Sequence, residues 1–461
     1  MATAFRRLAV VLFLACLAIG PAFSEDAAPA ANSLGFGMSL GIGVQTYNET
    51  DPTTGLPVTN TYQSLGFTPD LSFGPFGIGL AVTINYRFTG PDNSFQIRQA
   101  DWVPATVTLQ SIAALYLPKI MYIRWGQPTD PLYVKLGSFN DGTLGDGFIM
   151  GDYDNTLFLP AERHFGLEAG LDGNLFKFPY VGMQAVVGNL AEFDVLGARL
   201  YARPLVSTSI PILNNMEIGF TGVVDTNPYF NTASEGTLPA ATPVTAFGGD
   251  VRVPIVYVKD VVSLLAFTDV DSIQGESWGG MIGVGGKLIN IFTYGLQLRA
   301  LAENFIPDYF GPTYDIFRDQ QYKIVSSGIS YSDATIGWQA SIGASALNDK
   351  IVVNVSMDGP FAAPPAAPTP DQALLDYPHL RAIVSLGEGV VPGITFDFSY
   401  DKKAIATIGD LISAENAAIQ AQFNFKSGPA VISFVYKIVY DPTQTPEWNI
   451  TSGLQSSIQL F

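Results

Sequence analysis

Between Ser33 and Gln45 the chain reads SLGFGMSLGIGVQ, with a large apolar side chain at every second position. Leu34, Phe36, Met38, Leu40, Ile42 and Val44 share one parity. Ser33, Gly35, Gly37, Ser39, Gly41, Gly43 and Gln45 share the other. A period of two makes a β-strand with one apolar face and one small or polar face. A helix would scatter the same six side chains around its circumference. The strand follows a stretch that reads as an export signal, so its apolar face needs an apolar surrounding outside the cytoplasm. Lipid supplies one.

Composition sharpens that reading. Charged residues are 14% of the 461, against about 25% in an ordinary soluble domain, and the mean hydropathy is +0.25. A helical membrane protein would need apolar runs of roughly 20 residues. The longest unbroken run, Leu8–Ile19, is too short, and the apolar zone Val253–Phe267 is cut by Lys259 and Asp260. Among membrane-spanning structures that leaves a closed barrel, whose backbone groups satisfy one another between strands.

Residues 1–24 read as a cleaved signal peptide: Arg6 and Arg7, the apolar run, then the small-residue site Ala22-Phe23-Ser24. Residues 25–32 form a short Ala/Pro-rich tail expected in the periplasm, and 33–461 the barrel. Cys16 is the only cysteine, so cleavage leaves none for disulfides or thiol catalysis. The net charge is −18; loss of Arg6 and Arg7 leaves 21 basic against 41 acidic residues, a net of −20. Nucleic acid is therefore not an expected partner, because binding phosphate needs basic patches. The acidic clusters Asp141–Asp154 and Asp315–Asp319 read as solvated loops.

Along the chain, alternating segments are joined by connections that are long and short in turn. Asn48–Asn60 reads as a loop, Gly74–Gly77 as a tight turn, and Ile78–Phe88 as a return strand. Thr106–Tyr116 is a strand candidate, and only Ile405–Ala414 (IATIGDLISA) hints at a helical period. Asn227–Pro243 and the Pro/Ala-rich Gly359–Pro378 read as loops. The last 110 residues alternate most cleanly: Phe396, Phe398, Ile419, Phe423 and Phe434 fall on the face expected to meet lipid, and Gln420 and Ser433 on the other.

The polar parities carry mixed charge. Arg87, Arg199, Arg252, Arg299, Lys426 and Lys437 lie there with Glu168, Glu217, Asp250 and Asp397, as they would around a wet interior. Gly137–Phe165 is the least strand-like interior region, and a connection of this length in a compact barrel suggests a function. Two arrangements are open: it hangs as an exposed surface or periplasmic loop, or it folds inward and narrows the interior, with Asp141, Asp146, Asp152, Asp154 and Arg163 at the constriction and the aspartates favouring cations. The same aspartates with Gly145 and Gly151 could turn around Ca²⁺, but their spacing does not fit an EF-hand loop, and no metal or cofactor is expected. His164 and His379 read as rim or loop residues. No phosphate-binding loop or nucleophile elbow appears, so no enzyme is expected.

The alternating C-terminal array, the leader and the terminal Phe461 together resemble bacterial outer-membrane β-barrel proteins of the porin type. The resemblance implies a bacterial outer-membrane location, with membrane lipid, small solutes and the barrel-assembly machinery as partners, and it allows an oligomer. It also makes Phe461 an assembly signal, although Gln455, Ser457 and Gln459 share its parity where the family favours apolar residues. The expected fold is all-β, a single closed transmembrane antiparallel barrel of about 18 strands, even in number and between roughly 14 and 20. The expected function is passive diffusion of small solutes. The alternatives are a barrel transporter for hydrophobic molecules and a non-conducting adhesin or structural surface protein.

Overall fold

The computed structural model describes residues 34–50, 56–89, 93–159, 162–210, 212–229, 242–259, 261–347, 350–365, 368–440 and 448–459. The expected signal peptide, the tail and Phe461 lie outside them. The first strands are β1 (Leu34–Thr50), β2 (Pro57–Phe73), β3 (Phe76–Leu80), β4 (Val82–Thr89) and β5 (Ser94–Ile97). Helix α1 (Leu109–Tyr116) precedes β6 (Ile120–Trp125) and β7 (Leu132–Gly137). Then come β8 (Gly166–Asp172), β9 (Val181–Val187), β10 (Val195–Ala202) and β11 (Glu217–Asp225), followed by β12 (Val244–Val258), β13 (Val262–Ile273), β14 (Ser277–Leu288) and β15 (Phe292–Leu301). Helix α2 (Tyr314–Ser326) leads to β16 (Thr335–Ala346) and β17 (Ile351–Pro360), and α3 (Pro370–Asp376) to β18 (His379–Val391) and β19 (Ile394–Lys402). The chain ends with β20 (Ala417–Ser427), β21 (Ala430–Tyr440) and β22 (Trp448–Gln459).

Among the described residues these 22 segments form one sheet, each paired antiparallel with its neighbours. β3 and β4 are one strand broken at Ala81, since both pair with β2. β5 and β6 are likewise pieces of the next strand, paired with β4 and β3, with residues 98–119 looped out between them. Counting each broken strand once leaves twenty, more than the expected 18. β6 to β9 are only six or seven residues long, shorter than the roughly ten residues of an ordinary barrel strand. β1 pairs with β22 from Ser39↔Gln459 to Ile42↔Ser456, and β5 pairs only with β4 among the described residues.

The long connections, 138–165, 302–334, 361–378 and 403–416, all leave one end of the sheet; tight turns such as 74–75, 392–393 and 428–429 lie at the other. The two faces differ in the way the alternation implies. On β12, Val244, Ala246, Gly248 and Asp250 are buried, while Thr245, Phe247 and Gly249 between them are exposed. The buried parity is the inner face, covered by chain from the long connections. Its glycines make the room: a Cβ at Gly279 would stand 2.4 Å from the Phe305 ring.

Several local expectations change. Asn48–Asn60 is mostly strand, because β1 and β2 continue in register to Thr50↔Pro57. Thr106–Tyr116 is not a strand: Thr108 and Ser111 form a capping box that starts α1. Ile405–Ala414 holds a short 3-10 turn, Ile408–Ile412. Asp315–Asp319 lies in α2, and Asp315 is buried rather than solvated. Phe423 and Phe434 are exposed on the outer face as expected, but Ile419 is covered. Among the described residues no helix is long and apolar enough to cross a membrane.

Candidate permeation pathway

Residues 138–165 leave β7 and cross the inner face. Asn155 staples the base of this segment. Its Nδ2 donates to the carbonyls of Gly137 at 3.1 Å and Gly188 at 3.0 Å, and its Oδ1 accepts from the Phe139 amide at 2.9 Å. Farther along, Asp146 stands 2.9 Å from the Arg252 guanidinium of β12. Arg381 of β18 donates to Asp152 at 2.5 Å. Asp154 accepts from the Thr156 amide and hydroxyl at 2.7 and 2.6 Å and lies within the field of Lys437 of β21. One segment thus touches β12 on one side of the interior and β18 on the other. Burial pushes the Asp146 carboxyl up to about 6, against the pull of Arg252.

A second segment, 302–334, lies against the first. The amides of Asp308 and Phe310 donate to the carbonyls of Phe148 at 2.8 Å and Ile149 at 3.0 Å, and Asp308 Oδ1 accepts from the Gly151 amide at 2.7 Å. Apolar packing joins the two: Phe139, Leu144, Phe148 and Met150 of one with Phe305, Tyr309, Phe310 and Tyr314 of the other, on Val195, Val223, Val244 and Met281 of the sheet. α2 is fixed from beneath. Arg318, fully buried, donates through Nε and Nη2 to Asp225 at 2.6 Å each and through Nη1 to Asp194 at 3.0 Å. Tyr153 donates to both oxygens of Asp315 at 3.1 Å, and burial pushes the Asp315 carboxyl up to about 6.

Between these segments and the inner faces of β15 to β19 lies a cavity of about 360 Å³. Its charged lining is paired: along the wall Arg299 with Asp358 at 3.0 Å and His379 with Asp358 and Asp401 at 3.2 Å each, and between wall and segment Arg381 with Asp152. The inner faces of β19 and β20 hold hydroxyl and amide groups. Asn424 donates to Thr395 at 2.9 Å and Gln422 to Asn424 at 3.2 Å, with Asp397 directly across from Gln422.

The other expected interior residues are placed as follows. Arg199 and Asp250 form a buried pair, with Nε–Oδ2 2.8 Å and Nη2–Oδ1 2.5 Å. Glu217 accepts from Arg203 at 3.0 and 2.8 Å, and Glu168 from Tyr133 at 3.0 Å. Arg87 stands over the Tyr62 ring, 5.0 Å from its centroid. Lys426 pairs with Glu388 near the short turns. Asp397 is exposed, and Arg163 donates to Ser138 at 3.2 Å. Asp141 is exposed, and the antiparallel bridge of Gly142 with Tyr153 sets its backbone alongside that of Asp154; among the described residues no group of three or more His, Cys, Asp or Glu side chains could hold a metal ion. His164 is not a rim residue: it is buried, 3.4 Å from Glu162 and 3.8 Å from Asp315. Burial works to lower its pKa, but the Glu162 hydrogen bond and the Asp315 charge raise it overall.

Sequence reading missed 302–334 and with it Arg318, Asp194 and Asp225. A signal was present: Gly311-Pro312-Thr313 ahead of Tyr314, Phe317 and Ile324, with Asp315 in the first turn and Lys323 in the last, has the marks of a helix start and stop.

No protein-family model matches this chain, and no curated protein matches it. Its architecture is similar to solved outer-membrane porins. The outer membrane protein OprD from Pseudomonas aeruginosa is 8% identical over 93% of each chain, with a TM-score of 0.30. OccAB3 from Acinetobacter baumannii is 11% identical over 93% of this chain and 99% of that one, with a TM-score of 0.31. A mutant of the Rh. blastica porin is 9% identical over 93% of this chain and 100% of that one, with a TM-score of 0.25. At these values the likeness carries no argument about solutes or residues.

Proposed function

We propose that the chain closes into a single outer-membrane β-barrel and passes small hydrophilic solutes by passive diffusion. The path runs between the two interior segments and the inner faces of β17 to β21. The observation that carries this reading is the division of one antiparallel sheet into two faces. Large apolar side chains such as Phe220, Ile282, Leu296 and Phe434 stand exposed on one, and charged and amide side chains line the other. A soluble protein would not leave so extended an apolar face uncovered, whereas a barrel in lipid requires it. Pairing of β1 with β22 supports closure. Export through the leader and insertion through the assembly machinery, with Phe461 as signal, belong to the same reading.

Along this path Asp152 is matched by Arg381, Asp358 by Arg299 and Glu388 by Lys426. Opposite charges held this close leave little net field, so the channel discriminates by size more than by sign. The charged and amide lining also disfavours a carrier of hydrophobic molecules. A channel of this kind needs no nucleophile or general base, so the chain is read as a non-enzyme.

Proteoliposome swelling tests the proposal. In isosmotic solutions of neutral sugars, swelling should fall steeply from pentose to trisaccharide. Swelling no faster than in protein-free liposomes would overturn it, and would favour the non-conducting surface protein that the filled half of the interior otherwise suggests.

A further inference from the structure

One apolar stretch has no part in the pathway. Residues 403–416 leave the rim after β19; Lys403 still faces inward, its Nζ 4.0 Å from the centroid of the Phe317 ring in α2, and from Ala406 on the stretch lies on the outer face of the sheet, the opposite side from the interior segments. Tyr400 fixes that side: it shares parity with Phe396 and Phe398, and its hydroxyl donates to the carbonyls of Leu411 at 3.0 Å and Ser413 at 2.8 Å. Beneath the stretch Ala417, Ile419 and Ile438 are buried, packed with Phe398, Tyr400, Ala414 and Trp448. The stretch also hides Lys402, an outer-face lysine only 1% exposed, whose Nζ donates to the Glu415 carbonyl.

Asp410 and the backbone of its turn are closed off. Asp410 Oδ2 accepts from the amides of Ala406 at 3.0 Å and Thr407 at 2.7 Å. The amides of Asp410 and Ser413 donate to the carbonyls of Thr407 and Asp410, at 3.0 Å each. Left pointing outward are Ile408, 86% exposed, and Ile412, 47% exposed. Satisfied backbone with bare aliphatic tips is what a segment at an apolar boundary requires. The neighbours are of the same kind: Tyr440 and Trp448, with ring centroids 4.8 Å apart, stand on the same outer face, and aromatic residues collect where membrane meets water.

We propose that 406–416 is a membrane-contacting apron, which places Ile408 and Ile412 among the lipid acyl chains at the rim and keeps Lys402 out of them. The proposal rests on the reading that the sheet spans a membrane. Lipid is the occupant because the apron continues the apolar outer face: Asp410 is turned back into its own turn, and the one exposed carboxylate, Glu415, sits at the C-terminal end of the stretch, past Ile408 and Ile412.

The test uses single cysteines, which the mature chain otherwise lacks. Ile408→Cys and Ile412→Cys are labelled with a small fluorophore in phosphatidylcholine vesicles, beside Phe423→Cys on the outer face and Gln422→Cys on the inner. Quenching by brominated phosphatidylcholine at 408 and 412 should come within about twofold of that at 423, and quenching by aqueous iodide should fall well below that at 422. Labels at 408 and 412 that follow 422 while 423 follows lipid would overturn the apron and leave the spanning reading intact. A label at 423 that follows iodide would remove both. Shielding of 408 and 412 from both quenchers would mean that another protein surface covers them, and would overturn the assignment to lipid.

Discussion

Arg318 and Asp225 face each other with no exposed side-chain surface, joined by two hydrogen bonds of 2.6 Å. The pair ties α2 to the end of β11, and through α2 the whole second interior segment. Removing one member of a buried pair strands the other charge. Arg318→Ala should therefore destabilise the docked segment by roughly 3–5 kcal/mol, and Arg318→Met with both Asp225→Leu and Asp194→Leu, which leaves neither carboxylate stranded, should recover much of that. Amide exchange at 305–324 reads this directly, and single-channel conductance should rise as the segment loosens. Unchanged protection in Arg318→Ala would contradict the clamp.

The two faces of β21 should respond oppositely to charge. Phe434→Arg puts a guanidinium on the outer face and should cost roughly 2–4 kcal/mol in refolding into bilayers, while Ser433→Arg, one position away, should cost far less. Equal costs would remove the membrane-spanning reading.

Replacing Asp146, Asp152 and Asp154 with asparagine removes one carboxylate each from beside Arg252, Arg381 and Lys437. Reversal potentials should move towards anions. Conductance should rise as well, because Arg381 no longer tethers the segment to β18. A change in selectivity at constant conductance would mean that the aspartates act on ions without holding the segment.

Acid should tighten the interior. Burial raises the Asp146 and Asp315 carboxyls to about 6 each, above the roughly 4 expected in an unfolded chain. A carboxyl raised on folding lends stability that is fully present below the unfolded value and is lost as pH rises through the folded one. Amide protection at 145–151 should thus fall between pH about 4 and 6, and Asp146→Asn should flatten its share of that slope. A profile flat in the wild type would show that neither group titrates in this range.

The alternation that makes the strands could be read directly, because a period of two shows at every residue. That is why the outer-face positions of Phe423 and Phe434 were legible. So was the unusual character of 137–165, whose glycines and aspartates cannot continue a ladder. Its partners were not legible. Arg252 and Arg381 lie about a hundred and over two hundred residues away in sequence, and only the curvature of the sheet brings them to Asp146 and Asp152. Segment 302–334 was hidden for another reason: α2 is buried on most sides, so it shows no polar stripe opposite an apolar one, and its acidic residues looked like solvated loop. Ile419 takes the outer face its parity gives but is covered, because parity tells which face a side chain takes and not whether the preceding stretch folds over it.

The central claim is that solutes pass along the inner faces of β19 and β20. Single-channel recording of Gln422→Cys and Phe423→Cys before and after a charged methanethiosulfonate reagent tests it most directly. The account predicts that modification of 422 cuts the current, while modification of 423, one residue away on the opposite face, leaves it unchanged. No channel at all, or equal sensitivity at both positions, would contradict it.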